Sequence, residues 1–374
     1  MRLPIFNPDG GAVLIAVHGL AVAGLVAAVG GLVLLEGIVR PMAVRAAKLA
    51  PGQDMERGPR RFGSAGLCLA LVAMLMWYWL QTADFLGESD PGAVLGGLWP
   101  VLRDTDFGHV WVLQIVAASL ALLAVGRGFG RAAAGLAALA LAGETARAHL
   151  PSIAVGDAGY VFALGVGAAH LLGGGFWVGA LWPLRQLLRH APKSLALTYA
   201  RGFSVWGKVA VVAVAASGLW QAWVLVASLP RLFGTAYGWM VLLKTLLFLV
   251  LLGFALFNRY TLAPRLARGQ NEVATRAALS RAILMQGMAG IAVLTAAMVL
   301  SALPPARDVR PISPFAASSG AGHARIAATG RSPAIPGMAI GTDWQIPAGP
   351  GKLPRQPAMV PVPASGGDHA PIAI

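Results

Sequence analysis

Long uninterrupted apolar runs occupy most of residues 1–305 of the chain. Each run has about 17–25 residues, the length that an α-helix needs to cross about 30 Å of hydrocarbon. The apolar residues are continuous and do not alternate with polar ones, so they indicate helices and not the strands of a barrel. The predicted spans are Ala12–Leu35, Phe62–Gln81, Val110–Gly126, Ala132–Ala148, Tyr160–Leu184, Val205–Leu229, Tyr237–Phe257 and Ala282–Leu303. We therefore predict an all-α polytopic membrane protein, an eight-transmembrane-helix bundle.

The basic residues between these runs predict the orientation of the bundle. The first, third, fifth and seventh gaps hold 17 arginines and lysines, whereas the second, fourth and sixth hold only Arg103 and Arg231. Cytoplasmic loops carry the excess of such residues, so the odd gaps are expected inside and both termini in the periplasm. The first run is longer than the core of a cleaved signal peptide and is expected to be the first span.

Composition agrees with this class and excludes others. The chain is 57% hydrophobic and 12% charged, with a mean hydropathy of +0.69, whereas soluble domains carry about 25% charged residues. The net charge of +14 lies in separate short loops, which disfavours a nucleic-acid-binding face. Cys68 is the only cysteine, which excludes an intramolecular disulfide and a CxxC motif.

Composition changes after the last run. Residues 304–374 hold 13 of the 25 prolines and lack apolar periodicity. Such a segment cannot bury enough surface to offset the entropy of ordering it. We therefore predict a membrane domain at 1–305 and a disordered, extracytoplasmic, Pro/Ala/Gly-rich tail at 306–374.

Polar groups inside the spans are the candidates for function, since they are costly in a membrane. Helix geometry places the candidates in the outer half of the bundle, which predicts a path that opens outward. His149 near the outer mouth and His170 about 10–15 Å deeper are predicted as successive metal stations and not as two ligands of one ion. Met74 is a weaker candidate ligand, and Glu144 and Lys244 are predicted to tune the charge.

Structural roles for the same residues stay open at this level. His18 in the first span could have a structural role as a hydrogen-bond partner of a neighbouring helix, in place of a role in the path. Glu144 and Arg147, three apart, form a possible structural pair, and Lys244 has the length to reach the outer surface. Methionines more often fill gaps in packing.

The fifth run combines its histidine with many glycines. Gly175 and Gly179 form a GxxxG step, which lets another helix approach the backbone closely. His170, on a helix packed in this way, is therefore expected to face protein.

The C-terminal spans resemble the CopD family of copper-resistance membrane proteins. The segment HLLGGGFWVGALWPL at 170–184 is similar to that family's fifth span, and FS at 203–204 with ASGLWQA at 216–222 is similar to its sixth. YGWMVLLK at 237–244 and NRYTLAP at 258–264 resemble the seventh span and the following loop.

This resemblance implies an inner-membrane protein that moves copper from periplasm to cytoplasm, beside a periplasmic CopC-like copper carrier. The chain departs from the family in two ways. Gln286 stands where members often carry a glutamate early in the last span, and no CopC-like domain is fused to the chain. The carrier is therefore expected to be a separate protein.

The residue types fit copper without forming a compact motif. Imidazole and thioether groups suit Cu(I), and imidazole suits Cu(II). The sequence has no Walker A motif, so an ATP-driven pump is excluded for this chain alone, and we do not expect an enzyme. Two other functions stay open: a haem-binding electron-transfer protein, in which histidines from facing helices hold the haem, and a non-transporting scaffold for a periplasmic copper carrier.

Overall fold

The computed structural model describes residues 11–45, 53–149 and 154–309, and helices make up nearly all of this part. The α-helices are α1 Gly11–Leu34, α2 Arg40–Arg45, α3 Gln53–Leu86, α4 Pro91–Asp104, α5 Asp106–Gly126, α6 Gly130–Ala142, α7 Gly156–Gly179, α8 Leu181–His190, α9 Lys193–Val226, α10 Leu229–Gly234, α11 Ala236–Phe257, α12 Ala263–Ala267 and α13 Glu272–Ser301. Two π turns, Leu35–Val39 and Asn258–Leu262, follow α1 and α11. Two 3-10 turns are Gly143–Arg147 and Ala306–Asp308.

Among the described residues, seven helical segments are long and apolar enough to cross a membrane. They are Gly11–Met42, Met55–Leu86, Asp106–Gly126, Gly156–His190, Lys193–Val226, Ala236–Ala267 and Glu272–Asp308. The all-α membrane class is thus confirmed, and seven of the eight predicted spans correspond to these segments.

The fourth predicted span is shorter as an α-helix than its apolar run. α6 has 13 residues and ends at Ala142, and the 3-10 turn Gly143–Arg147 continues it. This segment returns beside α5, and its turn bonds Gln114, the ninth of the 21 residues of that helix. With rises of about 1.5 Å per residue in the helix and about 2 Å in the turn, α6 and the turn together are about 30 Å long.

Several helices extend beyond the apolar runs that predict them. α3 begins at Gln53, α9 at Lys193 and α13 at Glu272, so residues placed in cytoplasmic loops by the runs are helical. The apolar run marks only the part of a helix suited to hydrocarbon, and Arg and Lys are good helix formers beyond it. The predicted fifth span is divided, because α7 ends at Gly179 and α8 begins at Leu181.

α4 lies in a gap where no helix was predicted. Asp90 accepts a hydrogen bond from the Ala93 amide at 2.9 Å, and Pro91 occupies the first helical position; both features favour a helix start. α4 packs on the ends of α3 and α5 through an apolar cluster that includes Trp77, Tyr78 and Trp111.

α1 lies at the centre of the helix packing because glycines let two neighbours approach it closely. A Cβ on Gly24 would lie 2.6 Å from the Ala70 amide nitrogen of α3, and a Cβ on Gly30 would lie 2.0 Å from the Gly179 carbonyl carbon of α7. A Cβ on Gly175 would lie 2.6 Å from a methyl carbon of Leu141 on α6. The predicted close approach through Gly175 and Gly179 is confirmed.

The described part ends just after the predicted end of the membrane domain. Ala306 is fully buried in a cluster with Tyr237 and Leu303, so ordered structure continues past residue 305. Residues 310–374, which hold nearly all of the predicted disordered tail, lie outside the described residues.

Candidate functional site

Two groups of polar side chains lie inside the apolar bundle. We call the end at which α1, α5, α7 and α11 begin the outer end, because the sequence predicts that it faces outward. The first group lies in the outer part of α1 and α5, and His170 of the second lies near the middle of α7. The first group, named the His18 network, consists of His18, Trp77, Gln114, Glu144 and Arg147. The second, named the His170 group, consists of His170, Ser217 and Lys244.

Glu144 is the centre of the His18 network. Its Oε2 lies 2.9 Å from Nε2 of His18 on α1. Its Oε1 accepts from Nε2 of Gln114 at 2.8 Å and from Nη2 of Arg147 at 2.9 Å. Arg147 also donates to the Gln114 side-chain oxygen. The carboxylate is thus held by three side chains from three segments, as a buried charge requires.

Aromatic rings complete this network. The His18 ring stacks on Trp77 with centroids 4.0 Å apart and planes within 7°. The Arg147 guanidinium carbon lies 4.6 Å from the centre of the same Trp77 ring. Such cation–π contacts gain strength where water is excluded, so Trp77 stabilises the positive partner of Glu144.

The 3-10 turn brings Glu144 to Gln114. Gly143 makes this approach possible, because a Cβ there would lie 2.8 Å from Cγ of Gln114. The predicted Glu144–Arg147 pair is confirmed as an i,i+3 ion pair, although it lies on a 3-10 turn and not on an α-helix.

In the His170 group, the hydrogen bonds assign the tautomer of the histidine. The Ser217 hydroxyl donates its single hydrogen to the Ala213 carbonyl in the preceding helical turn. The Ser217 oxygen therefore accepts from Nδ1–H of His170 at 3.1 Å. Because a neutral imidazole carries one N–H, Nε2 of His170 retains a lone pair that can bind a metal.

The expectation that His170 faces protein is confirmed. Its ring lies between α7 and α9, and a Cβ on Gly218 would be 3.3 Å from Cε1 of His170. Lys244 of α11 is near enough to act electrostatically on His170, and its side chain is half-buried.

The other predicted site residues lie apart from these two groups. The half-buried His149 follows the 3-10 turn, and its ring contacts Tyr237, the second residue of α11, with centroids 6.4 Å apart. Met74 is fully buried in the main apolar core, and its carbonyl accepts from Nε1 of Trp111 at 3.0 Å. No cluster of three or more His, Cys, Asp or Glu residues suited to a metal occurs within the described ranges. The metal roles of His149, His170 and Met74 stay predictions.

Sequence reasoning did not find the partners of the two histidines. Gln114 was not singled out, although a glutamine in a long apolar run is itself a signal of a buried hydrogen bond. His18 forms a hydrogen bond to another segment, at Glu144, which confirms the structural alternative given for it above. Ser217 lies in the motif at 216–222, and nothing in that motif predicts its contact with His170.

Gln286, the departure from the family pattern, occupies a buried position between α11 and α13. Its side-chain oxygen accepts from Nδ2 of Asn258 at 3.3 Å, and its Nε2 donates to the Leu251 carbonyl at 3.4 Å. An amide supplies both a donor and an acceptor, whereas an ionised glutamate would leave the Leu251 carbonyl without that donor.

Motif residues from different spans also meet. Arg259, in the π turn after α11, donates to the side chain of Ser204 on α9. The motifs that carry the resemblance therefore form contacts with one another in the fold.

These features define a polytopic α-helical membrane protein with imidazole and carboxylate groups enclosed within its bundle. Residues 197–300 match the family described as Copper resistance protein D. Residues 8–150 match the Copper resistance protein D-like N-terminal domain. The chain belongs to the CopD copper-resistance family.

Two curated relatives align with about half of the chain. Inner membrane protein YebZ of Escherichia coli (strain K12) is 29% identical over 196 residues, which are 47% of this chain and 62% of that protein. Copper transport protein CutJ of Bacillus subtilis (strain 168) is 31% identical over 175 residues, 46% of this chain and 30% of that protein. The matched region is thus less than two thirds of each relative. No solved structure matches the chain.

Proposed function

We propose that the chain is a multi-pass inner-membrane protein that moves copper from the periplasm towards the cytoplasm through an outward-opening path. Membership of the copper-resistance family supports copper as the substrate, and the names of the two relatives support an inner-membrane location and transport. The proposed activity is transport and not enzymatic catalysis.

The observation that carries this proposal is the 3.1 Å contact between Nδ1 of His170 and the Ser217 hydroxyl oxygen. Metal-binding histidines commonly donate their second ring N–H in this way, which fixes both tautomer and orientation. The bond leaves Nε2 of His170 as a ligand inside an apolar bundle. Imidazole nitrogen binds copper in either oxidation state.

His149 is proposed as the outer station of the path and His170 as the deeper one. His149 contacts the first turn of α11, whereas His170 lies fourteen residues into α7, about 21 Å from its start at 1.5 Å per residue. Lys244 raises the positive potential at His170 and so weakens copper retention there. Glu144 tunes the charge by offsetting the guanidinium of Arg147, and Met74 remains the weaker candidate ligand.

The proposed topology has eight spans with both termini in the periplasm. The length of α6 with its 3-10 turn supports a fourth crossing, and the distribution of basic residues supports the orientation. In this topology residues 306–374 are extracytoplasmic. A separate CopC-like periplasmic protein is proposed as the copper donor, and membrane lipid surrounds the exposed apolar faces of helices such as α11.

Copper accumulation in cells tests the proposal. Cells without their own copper uptake, expressing the chain, should accumulate more copper than cells with empty vector. His170→Ala should remove most of that gain. His109→Ala is the matched control, because His109 is exposed and bonds only a nearby carbonyl, that of Arg103. Equal accumulation by the His170 variant and its parent, at equal membrane levels, would overturn the role of His170.

The absorbance spectrum of the purified chain tests the alternative that it is a haem protein. A haem protein shows an intense Soret band near about 410–430 nm. If the chain transports copper, we expect no such band. We also expect the purified chain to retain copper after dialysis against the metal.

A further inference from the structure

The His18 network contains an imidazole–carboxylate pair that the proposed copper path does not use. We propose that the His18–Glu144 pair is a proton-binding site whose proton is displaced when copper occupies His170. The coupling rests on the proposed function, whereas proton binding by the pair does not.

The hydrogen bonds show where the proton enters. Glu144 accepts from Gln114 and Arg147 through one oxygen, and the guanidinium of Arg147 favours the ionised carboxylate. A carboxylate only accepts hydrogen bonds, so Nε2–H of His18 donates to its other oxygen. The additional proton therefore binds Nδ1 of His18 and converts the imidazole into an imidazolium that remains paired with Glu144.

The charges around the pair make this step feasible in an apolar bundle. The carboxylate of Glu144 and the guanidinium of Arg147 cancel, so the network is neutral with a neutral His18 and carries one positive charge after proton binding. The imidazolium gains the contact with Glu144 and the face of Trp77 beneath it. Histidine–carboxylate chains of this kind serve as proton relays in membrane proteins.

The groups that face the pair come from every segment packed against it. The 3-10 turn contributes Glu144 and Arg147, and α3 and α5 contribute the uncharged Trp77 and Gln114. α13 contacts the adjacent Gly19 through the uncharged Met298. α7 faces the turn with Gly167, which is uncharged, and the nearest titratable groups beyond it are His170 of α7 and Lys244 of α11.

The pair and His170 are linked across a direct helix contact. A Cβ on Gly167 of α7 would lie 2.9 Å from the Thr145 methyl group. Thr145 follows Glu144 in the chain, and His170 is one helical turn from Gly167. A positive charge gained on either side of this helix contact raises the potential on the other side, because the medium between them has a low dielectric constant. Copper at His170 therefore promotes release of the proton from His18, and by linkage the proton weakens copper binding.

Proton release during copper binding tests the inference. The full chain in weakly buffered detergent solution is titrated anaerobically with Cu(I), and a pH indicator reports protons released per copper bound. We expect release from the wild type and a copper affinity that rises by up to about tenfold per pH unit, the limit for one linked proton. In His18→Gln, whose amide still donates to Glu144, both effects should be lost while copper still binds. The control His109→Gln should behave as the wild type.

Each outcome separates the two proposals. Equal proton release by wild type and His18→Gln would overturn the proton site while leaving copper binding intact. Failure of the wild type to bind copper would overturn the proposed function, and the titration of ¹⁵N-histidine signals would then decide the proton site alone. A signal that titrates in the wild type and is missing in His18→Gln supports it, and the absence of any such signal overturns it. If His18→Gln does not insert, a copper affinity of the wild type that does not change with pH would overturn the proton site.

Discussion

Gly30 of α1 and Gly179 of α7 touch backbone to backbone: a Cβ on Gly179 would lie 2.0 Å from the Val26 carbonyl oxygen and 3.1 Å from Cα of Gly30. Small residues at such crossings are a main source of helix association in membranes, where burial from water contributes little. This contact joins the N-terminal helices to the helix that carries His170.

Gly179→Ala should therefore destabilise the bundle. Its Cβ would meet backbone, which cannot yield as a flexible side chain does, so the cost should exceed the roughly 1–3 kcal/mol typical of overpacking. The thermal unfolding temperature of the purified chain measures the effect. Gly165→Ala is the control on the same helix, since a Cβ there meets nothing within 4 Å; equal unfolding temperatures of the two variants would contradict the packing.

Ser217→Ala should weaken copper binding although Ser217 is not a ligand. Loss of the acceptor frees the His170 ring to rotate and change tautomer, and such partner losses cost about 10–100-fold in metal affinity. Competition with a copper chelator measures the affinity. Thr198→Val on the same helix is the control, because Thr198 bonds the Ser194 carbonyl in the same backbone-directed manner. An unchanged affinity for Ser217→Ala would show that Ser217 does not orient a ligand.

His149→Ala should raise the copper concentration needed for half-maximal uptake and leave the maximal rate nearly unchanged. An outer station concentrates copper at the mouth, so its loss is overcome at high copper. Initial uptake rates over a copper series measure both quantities, with His109→Ala as the control. A lowered maximal rate at unchanged half-saturation would place His149 at a later step.

Reporter fusions should show eight crossings. Alkaline phosphatase is active only outside the cytoplasm, so it should be active after Pro305 and after residue 155, and inactive after residue 192. Green fluorescent protein exported unfolded should be dark at the first two positions. An inactive phosphatase after residue 155 would show that α6 and its 3-10 turn do not cross.

Deletion of residues 310–374 should leave insertion and copper accumulation nearly unchanged. The composition of this segment predicts no core to lose. Quantitative blots of membranes and cellular copper measure the result, with deletion of residues 302–374 as the comparison. That longer deletion removes Leu303 and Ala306, which are buried beside Tyr237, and should reduce inserted protein. Loss of copper accumulation in the shorter deletion at normal protein levels would assign a function to the tail.

The apolar runs predicted the membrane class and the course of seven helices because a span must present apolar residues continuously to lipid. They did not predict the extension of α3 to Gln53, since that part is polar and lies beyond the apolar run. They also did not predict the 3-10 turn after Ala142, whose geometry depends on the contact of Gly143 with α5.

The site was predicted in part for a similar reason. Glycine spacing predicted that His170 faces protein, because spacing within one helix is local information. The partner of His18 lies 126 residues away in the chain, and no local pattern specifies such a pair. The contacts of Glu144 lie in the His18 network, and its role in tuning the charge stays a prediction.

The amide of Gln286 adds no charge to the contact between α11, its π turn and α13, so the membrane potential exerts no force on this side chain. The membrane potential does about 2.3 kcal/mol of work per 100 mV on each elementary charge that crosses it, and it does none on a neutral amide. A rearrangement that breaks the bonds of Gln286 to Asn258 and Leu251 would therefore proceed at the same rate in energised and de-energised membranes, as far as this residue is concerned. In a relative with an ionised glutamate at this position, the same rearrangement would be driven or opposed by the voltage.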